Sequence, residues 1–161
     1  MQEIIIIGIY SYLLGSIPFG LILSKIFLKK DIRQSGSGNI GATNVLRSGG
    51  KVLGFFTLIL DGLKIYLAVI ITIEFFSDYF FLSSILVFLG HLFPIWLKFK
   101  GGKGVATYLG ILFALNFSYA VIFILSWLTI IFITKYVSLG SLVSSLIVLL
   151  FNVYFEGFNE S

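Results

Sequence analysis

The sequence predicts an all-α integral membrane protein of about six transmembrane helices, with two glycine-rich loops on the cytoplasmic side. Two observations carry this. Hydrophobic residues make up 58% of the 161 positions and charged residues only 11%, with a mean hydropathy of +1.08, where a globular domain averages about 25% charged. The charges are also gathered into short islands between long apolar runs. A soluble core able to hide so many apolar side chains would need a longer chain, because small domains are mostly surface. One membrane domain over residues 1–161 is therefore expected. The chain has no Cys and one His, which excludes a disulfide framework, a thiolate nucleophile and a Cys-based or multi-histidine metal site.

Residues 4–27 supply the first apolar run, about 36 Å long as a helix and able to cross a hydrocarbon core of about 30 Å. No basic stretch precedes it and its positive charges follow it, so it reads as a retained span and not a cleaved signal. Gly15, Ser16, Pro18 and Gly20 lie within it, a small-residue set that suits a helix-packing face or a kink. Residues 52–76 form the second run, carrying Asp61 and Lys64 three positions apart on one helix face, where they can pair. A structural ion pair suits these two better than a proton relay, which needs a longer chain of ionisable groups. Residues 79–97 form the third run, which includes His91, Pro94 and Trp96. His91 reads as a satisfied interfacial histidine.

Residues 104–133 would make a single helix of about 45 Å. Lys98, Lys100 and Lys103 before this run and Lys135 after it belong on the same side by the positive-inside rule, so two short spans turning near residues 116–118 are expected, each of about 22 Å. Residues 137–155 supply the last span, followed by a polar, acidic tail over 156–161. In this topology Lys25, Lys29, Lys30, Arg33, Arg47, Lys51, Lys98, Lys100, Lys103 and Lys135 all face the cytoplasm. Glu3, Glu74, Asp78, Glu156 and Glu160 lie outside with both termini.

Two polar islands remain. The first, residues 31–51, reads DIRQSGSGNIGATNVLRSGGK, and the second, residues 98–107, reads KFKGGKGVAT. Gly36, Gly38 and Gly41 permit left-handed backbone and close approach, Ser35, Ser37, Asn39, Thr43 and Asn44 offer hydroxyls and amides, and Arg33 and Arg47 supply fixed charge. Gly101, Gly102 and Gly104 around Lys103 repeat the recipe ahead of a helix starting near Gly104. Successive backbone N–H groups in such turns make an anion-binding nest, and a helix N-terminus adds to it. The plainer alternative is a loop that binds anionic lipid headgroups, but that needs Lys and Arg more than GSGN and GATN. Neither island fits a dinucleotide fingerprint or a P-loop, and nucleic-acid binding is disfavoured because no stacking platform accompanies the basic residues.

Six stretches together resemble the bacterial acyl-phosphate:glycerol-3-phosphate acyltransferase family: GSIPFG at 15–20, SGSGNIGATNVLR at 35–47, LDGLK at 60–64, GHLFP at 90–94, FKGGKGVAT at 99–107 and KYVSLGS at 135–141. The resemblance implies a multi-pass enzyme of the bacterial cytoplasmic (inner) membrane, with its active site facing the cytoplasm. It implies transfer of an acyl group from acyl-phosphate to the first hydroxyl of glycerol 3-phosphate, giving lysophosphatidic acid and phosphate. No cofactor, metal, CoA or acyl carrier protein is implied, and a membrane-associated enzyme that makes acyl-phosphate is a candidate partner. By the resemblance Ser37, Arg47 and Lys103 are catalytic or contact glycerol 3-phosphate. Gly36, Gly38, Asn39, Gly41, Thr43, Asn44, Gly101, Gly102, Gly104 and Thr107 then form the phosphate cradle. The family also implies a seventh span and a third motif with Asn, His, Arg and Glu, which this sequence does not contain, so the domain is expected to be C-terminally short. A membrane module that binds lipid phosphate without turnover is the competing expectation.

Overall fold

The computed structural model describes residues 1–155, and the expected acidic tail at 156–161 lies outside them. Every regular element in the described residues is helical. In order these are α1 (Gln2–Gly15), α2 (Phe19–Leu23) running into a π turn (Ser24–Leu28), a 3-10 turn (Ile32–Gln34), α3 (Ala42–Gly49) and α4 (Lys51–Phe75). After a 3-10 turn (Ser77–Tyr79) come α5 (Phe80–Leu92), another 3-10 turn (Ile95–Leu97), α6 (Val105–Leu115), α7 (Phe117–Thr134) and α8 (Val137–Phe155).

Among the described residues, five stretches are long and apolar enough to cross a membrane: Gln2–Leu28, Lys51–Phe75, Ser77–Leu97, Phe117–Thr134 and Val137–Phe155. The expected division of residues 104–133 is present, but its halves are unequal. The break falls at Asn116, whose side chain accepts from the Ser118 amide at 2.8 Å and caps α7. This leaves α6 with 11 residues and α7 with 18. At about 16 Å, α6 alone is shorter than a hydrocarbon core.

The chain divides into two compact units, Met1–Ala114 and a second beginning at Leu115. In the first, Ile65, Ala68, Val69 and Val87 form a buried core, with Tyr10, Leu14, Ile111 and Ala114 packed against it. Without a hydrophobic drive between helices in lipid, close backbone approach and buried hydrogen bonds must hold such a bundle. Both are present between α1 and α5. A side chain on Gly15 would collide with the Val87 carbonyl, one on Gly90 with the Tyr12 carbonyl, and the Ser11 and Ser83 hydroxyls bond at 2.9 Å. Both readings of the Gly15–Gly20 set therefore hold, since α1 packs through Gly15 and the helix is interrupted at Ser16–Pro18. In the second unit α7 packs on α8, with the Trp127 indole donating to Ser141 Oγ at 3.1 Å.

Large apolar side chains such as Ile5, Phe55, Phe81, Phe132 and Leu142 project outward. On a soluble monomer that would be a broad exposed apolar surface; here it faces lipid.

Candidate active site

Asp31 opens the first island by capping the 3-10 turn: Oδ1 accepts from the Arg33 amide at 3.0 Å, while Oδ2 accepts from Arg33 Nη2 at 2.6 Å. Arg33 is therefore engaged within its own turn. The guanidinium holds the Asp31 carboxyl down to about 2, and the carboxylate raises the Arg33 pKa in return. A depressed carboxyl stabilises the fold above its usual value of 3.8, and that contribution is lost as pH falls through about 2. A carboxylate held this low and paired with a guanidinium has little affinity for a proton at neutral pH, which unfits Asp31 as a base. Asp31→Asn is expected to keep its turnover at pH 7 within about threefold of the parent, the range that loss of one exposed ion pair allows. A collapse of turnover with substrate binding intact would instead make Asp31 the base.

Asn44 organises the loop that follows. It is buried, and its Nδ2 donates to the carbonyls of Ile32 at 3.0 Å, Ser35 at 3.0 Å and Asn39 at 2.8 Å. Its Oδ1 accepts from the Ser37 amide at 2.9 Å. The loop can wrap this amide only because Gly36 is left-handed (φ +57) and carries no side chain, since a Cβ there would strike Asn44 Oδ1. Asn39 Oδ1 then accepts from the Gly41 amide at 2.8 Å, and Gly41 is the N-cap of α3. Ser37, Thr43 and Arg47 are left exposed. None of the three has a side-chain hydrogen bond or ion pair among the described residues.

The second island folds back along the end of α5. The Gly101 amide donates to the Leu92 carbonyl at 2.9 Å and the Gly102 amide to the His91 carbonyl at 3.1 Å. Gly102 lies so close to the His91 ring that any side chain would overlap Nε2. Lys103 is exposed, and Gly104 at φ +85 turns the chain into α6. The first amides of α6 and of α3 have no carbonyl one turn earlier within their own helix, so each island leads into a helix N-terminus that favours an anion. Thr107 stands apart from the other cradle candidates: it is fully enclosed, and its hydroxyl has no partner among the described residues.

The approach to the second island packs beneath the first. Leu21, Ile32, Ile40 and Val45 form a buried cluster beneath the first loop, and Leu97, from the turn that leads into the second, packs against it. Sequence reasoning found both islands and the Asp61–Lys64 pair, which closes at 2.8 Å. It missed what surrounds that pair: Lys64 Nζ lies 3.2 Å from His91 Nδ1 and also bonds the Ile17 carbonyl. His91 is buried and engaged with Lys64.

The model of the family described as glycerol-3-phosphate acyltransferase matches residues 5–159. A glycerol-3-phosphate acyltransferase of Pelagibacter ubique (strain HTCC1062) is 59% identical over 99% of this chain and 83% of its own length. One from the Wolbachia of Brugia malayi (strain TRS) is 50% identical over 96% and 82%. Crystal structures of PlsY, an integral membrane glycerol 3-phosphate acyltransferase, superpose at TM-scores of 0.89 for the glycerol 3-phosphate form and 0.87 for the lysophosphatidic acid form. Both are 39% identical and cover 96% of this chain and 78% of theirs. This chain belongs to the glycerol-3-phosphate acyltransferase family.

Proposed function

We propose that this protein transfers a fatty acyl group from acyl-phosphate to the sn-1 hydroxyl of glycerol 3-phosphate at the cytoplasmic face of a bacterial inner membrane. The observation that carries the reading is that the first loop and the turn leading into the second share one buried cluster, each island leading into a helix N-terminus, with no ion pair at Arg47 or Lys103 among the described residues. Both substrates present a phosphate, so two anion cradles on one membrane face match the pair of ligands. The flanking helices are apolar outward and can hold the donor's tail.

An acyl-phosphate is an activated mixed anhydride, so no covalent enzyme intermediate is needed, and positioning with charge stabilisation can supply most of the rate. The glycerol hydroxyl oxygen attacks the acyl carbonyl carbon, the bond from that carbon to the phosphate oxygen breaks, and the hydroxyl proton passes to a phosphate oxygen. The products are lysophosphatidic acid and hydrogen phosphate. Arg47 and Lys103 neutralise the phosphates, and Ser37 donates its free hydroxyl to an oxygen of the reacting group. Asn44, with its amide engaged by the loop, shapes the cradle from beneath; Gly36, Gly38, Asn39, Gly41, Thr43, Gly101, Gly102 and Gly104 form its walls, and Thr107 underlies the second. A membrane-associated enzyme producing acyl-phosphate is the natural supplier, since so labile a donor is best passed over a short distance.

Purified protein in lipid nanodiscs, given palmitoyl-phosphate, is expected to release phosphate and form lysophosphatidic acid in equal amounts, and only when glycerol 3-phosphate is present. Binding of glycerol 3-phosphate without product would support the lipid-phosphate binding module instead.

A further inference from the structure

The Lys64 ammonium, inside α4 and almost wholly enclosed, uses each of its three N–H bonds on a different partner. It donates to Asp61 Oδ1 at 2.8 Å, to His91 Nδ1 at 3.2 Å and to the Ile17 carbonyl. Asp61 balances the charge, which is what allows an ammonium to remain at this depth. The other two partners lead away from the pair, one toward each island.

Ile17 lies in the interruption between α1 and α2. From there Phe19 begins α2, with its ring 5.7 Å from Lys64 Nζ. One residue further, Gly20 lies against the Ile40 carbonyl, and Leu21 joins Ile32, Ile40 and Val45 beneath the first loop. On the other side, acceptance at His91 Nδ1 fixes the ring proton on Nε2, the atom that faces Gly102. The neighbouring backbone is bonded to the same turn of α5, through His91 and Leu92 carbonyls.

We propose that Lys64 is a positioning residue whose ammonium, through Ile17 and His91, sets the two glycine loops in register with one another. It touches neither substrate. The proposal rests on the acyl-transfer reading only in taking the two loops as one site. A helix break that presents one carbonyl and a histidine that presents one lone pair, 74 residues apart in sequence by their numbers, are spanned by a single cation. A neutral apolar side chain could fill the space but could not bond both.

The test uses Asp61→Asn/Lys64→Met, which removes the tie without stranding a buried charge, and His91→Asn, whose side-chain oxygen can still accept from Lys64 while the ring over Gly102 is gone. Hydrogen exchange in lipid nanodiscs without substrate is expected to quicken roughly tenfold at peptides covering residues 35–42 and 99–104 in the double variant, the loss of about one hydrogen bond's worth of protection. In His91→Asn the same rise is expected at residues 99–104 alone. The double variant should keep its helical circular dichroism, and its KM for glycerol 3-phosphate should rise about tenfold with kcat falling less.

Unchanged protection of both loops in the double variant, or a lowered melting temperature with the loops still protected, would reduce Lys64 to a structural ion pair and overturn the proposal. So would equal loosening of both loops by His91→Asn. If the double variant does not fold, His91→Phe decides, since it keeps a ring over Gly102 but offers Lys64 no acceptor: residues 99–104 as protected as in the parent would overturn the proposal. A parent protein that makes no lysophosphatidic acid would count against the acyl-transfer reading and leave the exchange result standing.

Discussion

Replacing Lys103 with alanine is expected to lower kcat/KM for glycerol 3-phosphate by about 100-fold, the scale on which loss of one well-placed charge-stabilising donor is felt. Two features set Lys103 apart from the other lysines of its island. Its backbone is fixed on both sides, by the Gly102 amide on the His91 carbonyl and by Gly104 at φ +85. It also lies two residues before Val105, the first residue of α6, a placement that would let the ammonium and the helix's free amides act on one anion. Lys98 and Lys100 are exposed too, but Lys98 ends a 3-10 turn in the left-handed conformation and Lys100 lies two residues before Gly102. Their removal is expected to change turnover by less than about threefold, as for general screened surface charge. Lys103→Arg should recover part of KM, because charge is kept, but little of kcat, because a planar fork replaces a compact ammonium. Lysophosphatidate formation across the four variants is the measurement. Equal losses from all three lysines would replace the specific cradle with a diffuse basic surface.

The parts of this molecule that the sequence revealed are those written in local pattern. Apolar runs of span length, basic islands between them and a carboxylate three residues from an ammonium are local, and the structure has each. Charge bookkeeping calls for an even number of crossings within residues 104–133 and the polar Asn116–Ser118 places the turn, but the halves are 11 and 18 residues and not equal. Several helical segments also end without the expected signal: Lys29, Lys98 and Lys135 take left-handed φ values of 54, 52 and 64 where glycine is usual. A cation at a helix C-terminus is favoured by the helix dipole, which offers a reason for lysine there. What stayed hidden is tertiary. Whether an asparagine in a glycine-rich loop faces outward or inward has no signature in sequence, and neither does the meeting of Lys64 with His91 across 27 residues.

Asn44 yields the second large expectation, because its two Nδ2 hydrogens are shared among three carbonyl oxygens and its Oδ1 holds the Ser37 amide. Asn44→Asp keeps the shape and the acceptor but turns the donor into an oxygen that faces three others in a buried position. An unpaired buried charge costs several kcal/mol, more than the loop can absorb while keeping Gly36 and Ser37 in place. Turnover is expected to fall more than about 100-fold, since even a 1 Å misplacement of a positioning group can remove that much. Asn44→Ala leaves the same carbonyls without a donor but adds no repulsion, and water can enter, so its loss should be smaller. The core of α1, α4, α5 and α6 lies elsewhere, so both variants should keep their helical circular dichroism. Burial among carbonyls would hold the new carboxyl neutral at higher pH than usual, and a neutral carboxyl regains one donor. The ratio of Asn44→Asp activity to that of the parent is therefore expected to rise as pH falls from 8 to 6. A ratio independent of pH, or an alanine variant worse than the aspartate, would mean that Asn44 meets the substrate directly instead of shaping the loop that does.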